Sequence, residues 1–206
     1  MTKIKICGLF RPADIEAVNQ AQPDYIGFIL NFPKSHRNVD ADTAGYLASR
    51  RLPGIQTVGV FVDQPLGTVV DMADRIGLDI IQLHGHEDET YIRDLRSRTN
   101  CEIWKAFRVR SEEELEPVER CMADMVLLDS GYGSGKTFDW SMTAHVQRPY
   151  ILAGGLTPEN IPEAISRLSP AVLDVSSGVE TDRIKDAAKI RAAVRAAHAD
   201  RGQSME

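Results

Sequence analysis

Strand-length apolar runs alternate with segments of helical period along almost the whole chain, and this alternation restricts the fold more than any other feature. The strand-like runs are Lys3–Cys7, Asp24–Leu30, Thr57–Val62, Asp79–Leu83, Ile103–Phe107, Met125–Asp129, Pro149–Ala153 and Val172–Val175. Between them the pattern predicts helices over Pro12–Gln20, Asp42–Arg51, Leu66–Ile76 and Asp88–Ser97. Another opens with the capping-box pair Ser111 and Glu114, and a short one covers Ser141–His145. Thr157 followed by Pro158 predicts an N-cap with proline at the first helical position. The last helix spans Asp186–His198, with Ala187, Ile190, Val194 and Ala197 on one stripe.

Near-continuous apolar strands that alternate with amphipathic helices belong to a parallel sheet covered on both faces. Eight such units in 206 residues predict a small α/β protein, a single-domain (β/α)₈ TIM barrel. A doubly wound open sheet is the competing fold, with fewer strands as a rule and its ligand at a crevice between strand ends. No linker, composition shift or low-complexity stretch marks a second domain, so the barrel is expected to span residues 1–200, with 201–206 a frayed tail.

Composition removes several classes of function. Twenty-four basic against thirty acidic residues give a net charge of −6, with no Lys/Arg cluster, a poor match for nucleic acid. There is no apolar run of membrane-spanning length and no signal-peptide pattern at the N-terminus. Three cysteines, Cys7, Cys101 and Cys121, have no CxxC spacing and fit free thiols in a reducing compartment. The expectation is a cytoplasmic protein, monomer or homodimer, acting on a small molecule.

In a barrel of this kind the chemistry lies at the C-terminal ends of the strands. Polar and glycine residues gather there: Cys7–Gly8, Ser35–His36–Arg37, His84–Gly85, Asp129, Gly154–Gly155 and Ser176–Ser177–Gly178. Cys7 taken alone reads as a small buried hydrophobe, and Asp129 as a loop cap. Facing each other across a cavity, a thiolate and a carboxyl group would form an acid/base pair for proton transfer. Gly154–Gly155 and Ser177–Gly178 read as a phosphate cradle on the last two loops, although turns alone also explain such glycines. Arg37 is either a solvated loop residue or a two-pronged holder of a carboxylate.

Two further motifs invite other readings. Gly135–Lys136–Thr137 resembles the end of a nucleotide-binding P-loop, but the pattern needs glycine at position 130, which is Ser130. A flap over the pocket is the better reading. His84 and His86 suggest a metal pair, yet no third ligand has recognisable spacing, so no metal site is expected.

The segments KIKICGL (3–9), PKSHRNV (33–39), VGVFV (58–62) and QLHG (82–85) resemble the phosphoribosylanthranilate isomerase family. So do KAFRV (105–109), LLDS (127–130), GSGKTFDW (133–140), LAGGLTPENI (152–161) and DVSSGVE (174–180). The resemblance implies an isomerase of tryptophan biosynthesis that needs no cofactor, because the iminium intermediate is its own electron sink. It implies Cys7 as general base, Asp129 as general acid and Arg37 as the holder of the anthranilate carboxylate. It implies a phosphate cradle of Gly154, Gly155, Ser177 and Gly178, with His84 and Asp174 as further pocket residues.

Those roles require a Cys7 pKa lowered and an Asp129 pKa raised from their ordinary values. The chain departs from the family pattern at Tyr132, at His36 and in Thr181–Lys185, which lacks a Pro-Gly pair. No departure removes a proposed catalytic group. The rival readings are a metal-dependent sugar-phosphate epimerase using His84, His86 and Asp129, a phosphosugar-binding module without turnover, and a bifunctional enzyme that also isomerises a doubly phosphorylated ribotide.

Overall fold

The computed structural model describes residues 1–109, 114–129 and 146–199. The GSGKTFDW segment, Ser111 of the capping-box pair, Ser141–His145 and the tail at 201–206 lie outside the described residues.

The strands are β1 (Lys3–Cys7), β2 (Tyr25–Leu30), the two-residue β3 (Asn38–Val39), β4 (Gln56–Phe61), β5 (Ile80–Leu83), β6 (Glu102–Arg108), β7 (Met125–Asp129), β8 (Tyr150–Ala153) and β9 (Val172–Val175). Every pairing among them is parallel, in the order β1-β9-β8-β7-β6-β5-β4-β2, and β1 also pairs with β2. That last pairing closes a ring of eight, with β3 added beside β2. The eight expected strands are the eight staves of the barrel.

Seven helices are described: α1 (Pro12–Ala21), α2 (Ala41–Ala48), α3 (Leu66–Ile76), α4 (Glu89–Arg96), α5 (Leu115–Arg120), α6 (Ile161–Leu168) and α7 (Ala187–His198). Asp40, Asp88 and Asp186 cap α2, α4 and α7 by accepting hydrogen bonds from first-turn N–H groups. Thr157 does not cap α6. A helix begun at Pro158 would need the N–H of residue 162 to bond the carbonyl of residue 158. Residue 162 is proline, so the helix starts at Ile161, where that missing donor costs nothing. Residues 157–160 form a turn instead, in which the Thr157 N–H donates to Asn160 Oδ1 at 2.8 Å and Asn160 Nδ2 donates to the Gly155 carbonyl at 3.0 Å.

Side-chain alternation along the strands separates two cores. Ile4, Ile6, Phe28, Leu83, Val126, Leu128, Leu173 and Val175 face outward and pack under the helices. Tyr25, Val58, Ile80, Trp104, Leu127, Ile151 and Val172 fill the barrel interior. Gln82, Asp129 and Asp174 have the inward parity of that second set, each two residues further up its strand, and Lys5, which pairs with Asp174, shares that face with Cys7. The interior is therefore apolar below and polar above. The polar layer is what positions the site.

After β9 the chain makes a 3₁₀ turn (Ser177–Val179) and a small hairpin of β10 (Glu180–Thr181) and β11 (Ile184–Lys185). Asp182 and Arg183 at its tip have φ of 52° and 63°. Two consecutive left-handed residues turn the chain in the tight hairpin that matches strand twist. The hairpin lies where the Pro-Gly pair was missed, and it sends Lys185 back toward the pocket.

Candidate active site

Cys7 ends β1 and is buried. Gly8 follows with φ of +77°, and a Cβ there would overlap Arg37 Cδ, so the bare glycine lets the arginine lie against the strand end. Beneath Cys7, the fully buried Lys5 donates to Gln82 Oε1 at 2.6 Å and to Asp174 Oδ2 at 2.9 Å. Asp174 Oδ1 is buried and has no hydrogen-bond partner among the described residues.

Lys5 can only donate, so it fixes the orientation of the Gln82 amide. Oε1 faces the lysine, and the amide nitrogen lies 3.2 Å from His84 Nδ1. An NH₂ group donating to Nδ1 leaves the proton of a neutral ring on Nε2. His84 Nε2 in turn lies 3.5 Å from Asp129 Oδ2, close enough for electrostatics but long for a strong hydrogen bond. A polar chain thus runs from below Cys7 to Asp129 across the barrel.

Burial pushes the Cys7 thiol above its ordinary pKa, and the Asp174 carboxylate adds to this. The Lys5 and Lys185 ammonium groups pull the other way without reversing it. The expectation of a lowered thiol pKa is therefore not met in the ligand-free protein, because desolvation of a thiolate outweighs two ammonium groups already shared with carboxylates. Burial also works against the Lys5 ammonium, but Asp174 and Cys7 overcome it and hold Lys5 above its ordinary value.

Arg37 reaches the rim from the loop after β2. Its Nε and Nη2 donate to the two oxygens of Glu180 at 2.6 and 2.7 Å, the geometry of a guanidinium–carboxylate fork. Lys185 donates to the same carboxylate at 2.8 Å and to the Ser176 carbonyl at 2.8 Å. Burial raises the Glu180 pKa, but Arg37 and Lys185 together bring it down to about 2. Burial pushes Lys185 below its ordinary value despite that partner. The Ser176 hydroxyl donates to the Cys7 carbonyl at 3.1 Å, tying the last loop to the end of β1.

The glycines expected to cradle phosphate lie on adjacent loops. Gly154 and Gly155 have φ of 92° and 64°, and a Cβ on Gly155 would meet nothing within 4 Å. Gly178 differs: a Cβ there would run into the Leu156 carbonyl and lie 3.2 Å from Thr157 Cα. The loop after β9 is thus seated directly on the loop after β8, and Ser177 belongs to the same 3₁₀ turn.

The structure brings Cys7, Asp129, His84 and Asp174 to the upper barrel interior and rim, with Arg37 and the two glycine loops around them. It separates His84 from His86, whose ring is almost fully exposed and pairs with Asp63 at 3.0 Å. Among the described residues no group of three His, Cys, Asp or Glu side chains could hold a metal ion. Lys5, Gln82, Glu180 and Lys185 were given no role by the sequence. Lys5 and Gln82 carried a signal, since strand parity turns both inward beside Cys7. Behind the rim, a second buried pair, Lys105 and Glu87 at 2.9 Å, braces the loop that carries His84. Lys105 also donates to the Gly85 carbonyl, and Glu87 accepts from the Gly85 and Asp63 N–H groups.

The family model of N-(5'-phosphoribosyl)anthranilate (PRA) isomerase matches residues 4–196. This chain belongs to that family. A relative from Acetivibrio thermocellus, N-(5'-phosphoribosyl)anthranilate isomerase, is 43% identical over 205 residues, covering 93% of each chain. The crystal structure of phosphoribosyl anthranilate isomerase from Thermotoga maritima superposes with a TM-score of 0.89 at 33% identity, over 97% of this chain and 100% of that one. A phosphoribosyl anthranilate isomerase solved with reduced 1-(o-carboxyphenylamino)-1-deoxyribulose 5-phosphate gives 0.86 at 32% identity, over 97% and 100%. Family membership makes the chain an isomerase of tryptophan biosynthesis and fits the closed barrel.

Proposed function

We propose that this chain converts N-(5-phosphoribosyl)anthranilate to 1-(2-carboxyphenylamino)-1-deoxyribulose 5-phosphate by an Amadori rearrangement, with Asp129 as general acid and Cys7 as general base. The observation that carries this reading is the placement of Cys7 and Asp129 at inward positions ending β1 and β7, on the rim formed by the two glycine loops. Asp129, protonated, donates to the ribose ring oxygen as the C1′–O bond breaks. The lone pair of the anthranilate nitrogen becomes the C=N bond of a protonated imine. Cys7 takes the proton from C2′, and the C–H electrons form the C1′–C2′ double bond of an enolamine while the iminium nitrogen regains its lone pair. Loss of the enol proton and protonation at C1′ give the ketone.

The high thiol pKa of the free protein fits this order of events. Ring opening adds a further cation opposite Cys7, and an adjacent cation favours the thiolate. His84 presents its Nε2 proton to Asp129. Asp174 Oδ1, buried and without a hydrogen-bond partner among the described residues, is suited to accept a substrate hydroxyl. Gly154, Gly155, Ser177 and Gly178 hold the phosphate through backbone N–H groups, and Arg37, steadied by Glu180, holds the anthranilate carboxylate. The reading involves no cofactor, metal or nucleic acid. It places the protein in the cytoplasm as a monomer or homodimer, and no described helix is long and apolar enough to cross a membrane.

The test is the loss of anthranilate fluorescence with substrate generated in situ and a chelator present throughout. Cys7→Ala and Asp129→Asn should each lower kcat by roughly 10²–10⁴-fold or more with KM little changed. Wild-type kcat in either variant removes the acid/base assignment. Ligand binding without turnover in the wild type points to a binding module, and turnover that needs added metal points to an epimerase.

A further inference from the structure

A fully buried lysine in the interior of a barrel is a costly choice. An apolar side chain of similar volume would pack there at no electrostatic penalty, and replacing buried ion pairs in that way is often neutral or stabilising. Lys5 is nonetheless held between two partners from other strands, Gln82 at 2.6 Å and Asp174 at 2.9 Å. An ammonium group has three protons, of which these bonds use two, and Lys5 and Cys7 lie on the same face of β1. The glycine opposite supports this placement. A Cβ on Gly27 of β2 would lie 2.8 Å from Lys5 Cε and 2.9 Å from Cys7 Sγ, so the two side chains close over the same bare patch of backbone.

We infer that Lys5 is a positioning residue for the reaction: its ammonium, locked by Gln82 and Asp174, is the counter-charge against which the Cys7 thiol ionises. The inference rests on Cys7 being the base. It assigns Lys5 to the transition from thiol to thiolate rather than to the substrate. The charged groups facing Cys7 are Lys5 from β1, Asp174 from β9 and Lys185 from β11. Asp174 opposes ionisation. Lys185 also supports it while donating to Glu180 and the Ser176 carbonyl, and Lys5, on the strand that carries Cys7, acts on the thiol more strongly than Lys185 does. Gln82 holds the ammonium through a neutral oxygen and so fixes it without cancelling its charge.

The test follows ionisation directly in the ligand-free full-length protein. Cysteine is labelled with ¹³C at Cβ, the Cys7 signal is assigned by its loss in Cys7→Ala, and its chemical shift is titrated against pH. Lys5→Met should raise the midpoint by about 1–3 pH units, the usual effect of one adjacent opposite charge. Asp174→Asn should move it in the opposite direction. In turnover, Lys5→Met should carry the acidic limb of the kcat–pH profile upward and leave KM close to wild type. A role in packing alone would lower thermal stability and leave the midpoint where it was.

A folded Lys5→Met protein with a wild-type midpoint overturns the inference. Where Lys5→Met does not fold, Lys5→Gln, which keeps a polar side chain against Gln82 and Asp174, decides: a raised midpoint supports the counter-charge and a wild-type midpoint overturns it. These outcomes are separate from the identity of the base. Full activity in Cys7→Ala would remove Cys7 from the mechanism and leave the titration to report the Lys5–Cys7 coupling by itself.

Discussion

Glu180→Gln tests the electrostatics of the rim in one substitution, because glutamine has the shape of a protonated glutamate. Glu180 is held at a pKa of about 2, from an ordinary 4.5, by Arg37 and Lys185, and its side chain is only 6% exposed. At 1.36 kcal/mol per pH unit, that depression makes ionised Glu180 worth about 3 kcal/mol to the folded state at neutral pH. A depressed acid contributes its full stability above its unfolded pKa and loses it as pH falls toward its folded pKa. The contribution should therefore be complete above about pH 5, fall to about 1.4 kcal/mol at pH 3, and vanish below pH 2.

Urea unfolding of wild type and Glu180→Gln, followed by circular dichroism at pH 7, 5, 4 and 3, measures the difference. The gap should be widest and flat between pH 7 and 5 and shrink by about half at pH 3. A gap that is constant over the whole range would refute the assignment of the charge to Glu180. The same variant should raise KM in the fluorescence assay more than it lowers kcat, since the glutamate steadies Arg37 and touches no reacting atom.

Three other substitutions probe neighbouring claims. Gly27→Ala should cost about 1–3 kcal/mol of stability, the usual range for overpacking, and lower kcat more than it raises KM, read by thermal melts and steady-state turnover; a fully active variant would contradict the close approach of Lys5 and Cys7 over β2. Gly178→Ala should raise KM, because its Cβ meets the Leu156 carbonyl and pushes the two glycine loops apart; titration with inorganic phosphate gives an independent reading of the proposed cradle. Lys105→Met should destabilise by about 3–5 kcal/mol by stranding the buried Glu87 carboxylate, and a loss near zero in urea unfolding would show that Glu87 is not charged there.

Alternation alone gave the barrel. It placed all eight staves within one residue at each end, since buried parallel strands must read as short apolar runs whatever else they carry. The same averaging hid the polar layer. KIKIC and DIIQL read as strands because their outward isoleucines and leucine satisfy the pattern, and the inward Lys5 and Gln82 pass as interruptions. Parity counted back from Cys7 would have found Lys5, but nothing local ties it to Gln82 or Asp174. Glu180 lay inside a motif that marked the family, yet its partner Arg37 is 143 residues away, and only the closed barrel brings the two together. Thr157 failed as a cap because a proline five residues on governed the start of the helix, a rule that needs both positions at once.

Barrel closure has a consequence for how this chain acquires its chemistry. The first strand carries Cys7 and Lys5, and the groups that complete their surroundings, Asp174, Ser176 and Lys185, come from residues some 170 positions later. Pairings so distant in sequence form late and slowly in folding. During synthesis the N-terminal half carries a lysine with no carboxylate to neutralise it and a strand edge with no neighbour, and both are resolved only when β9 and its hairpin dock. Cys7 thus gains the neighbours that surround it in the folded barrel only when the last strand closes the ring.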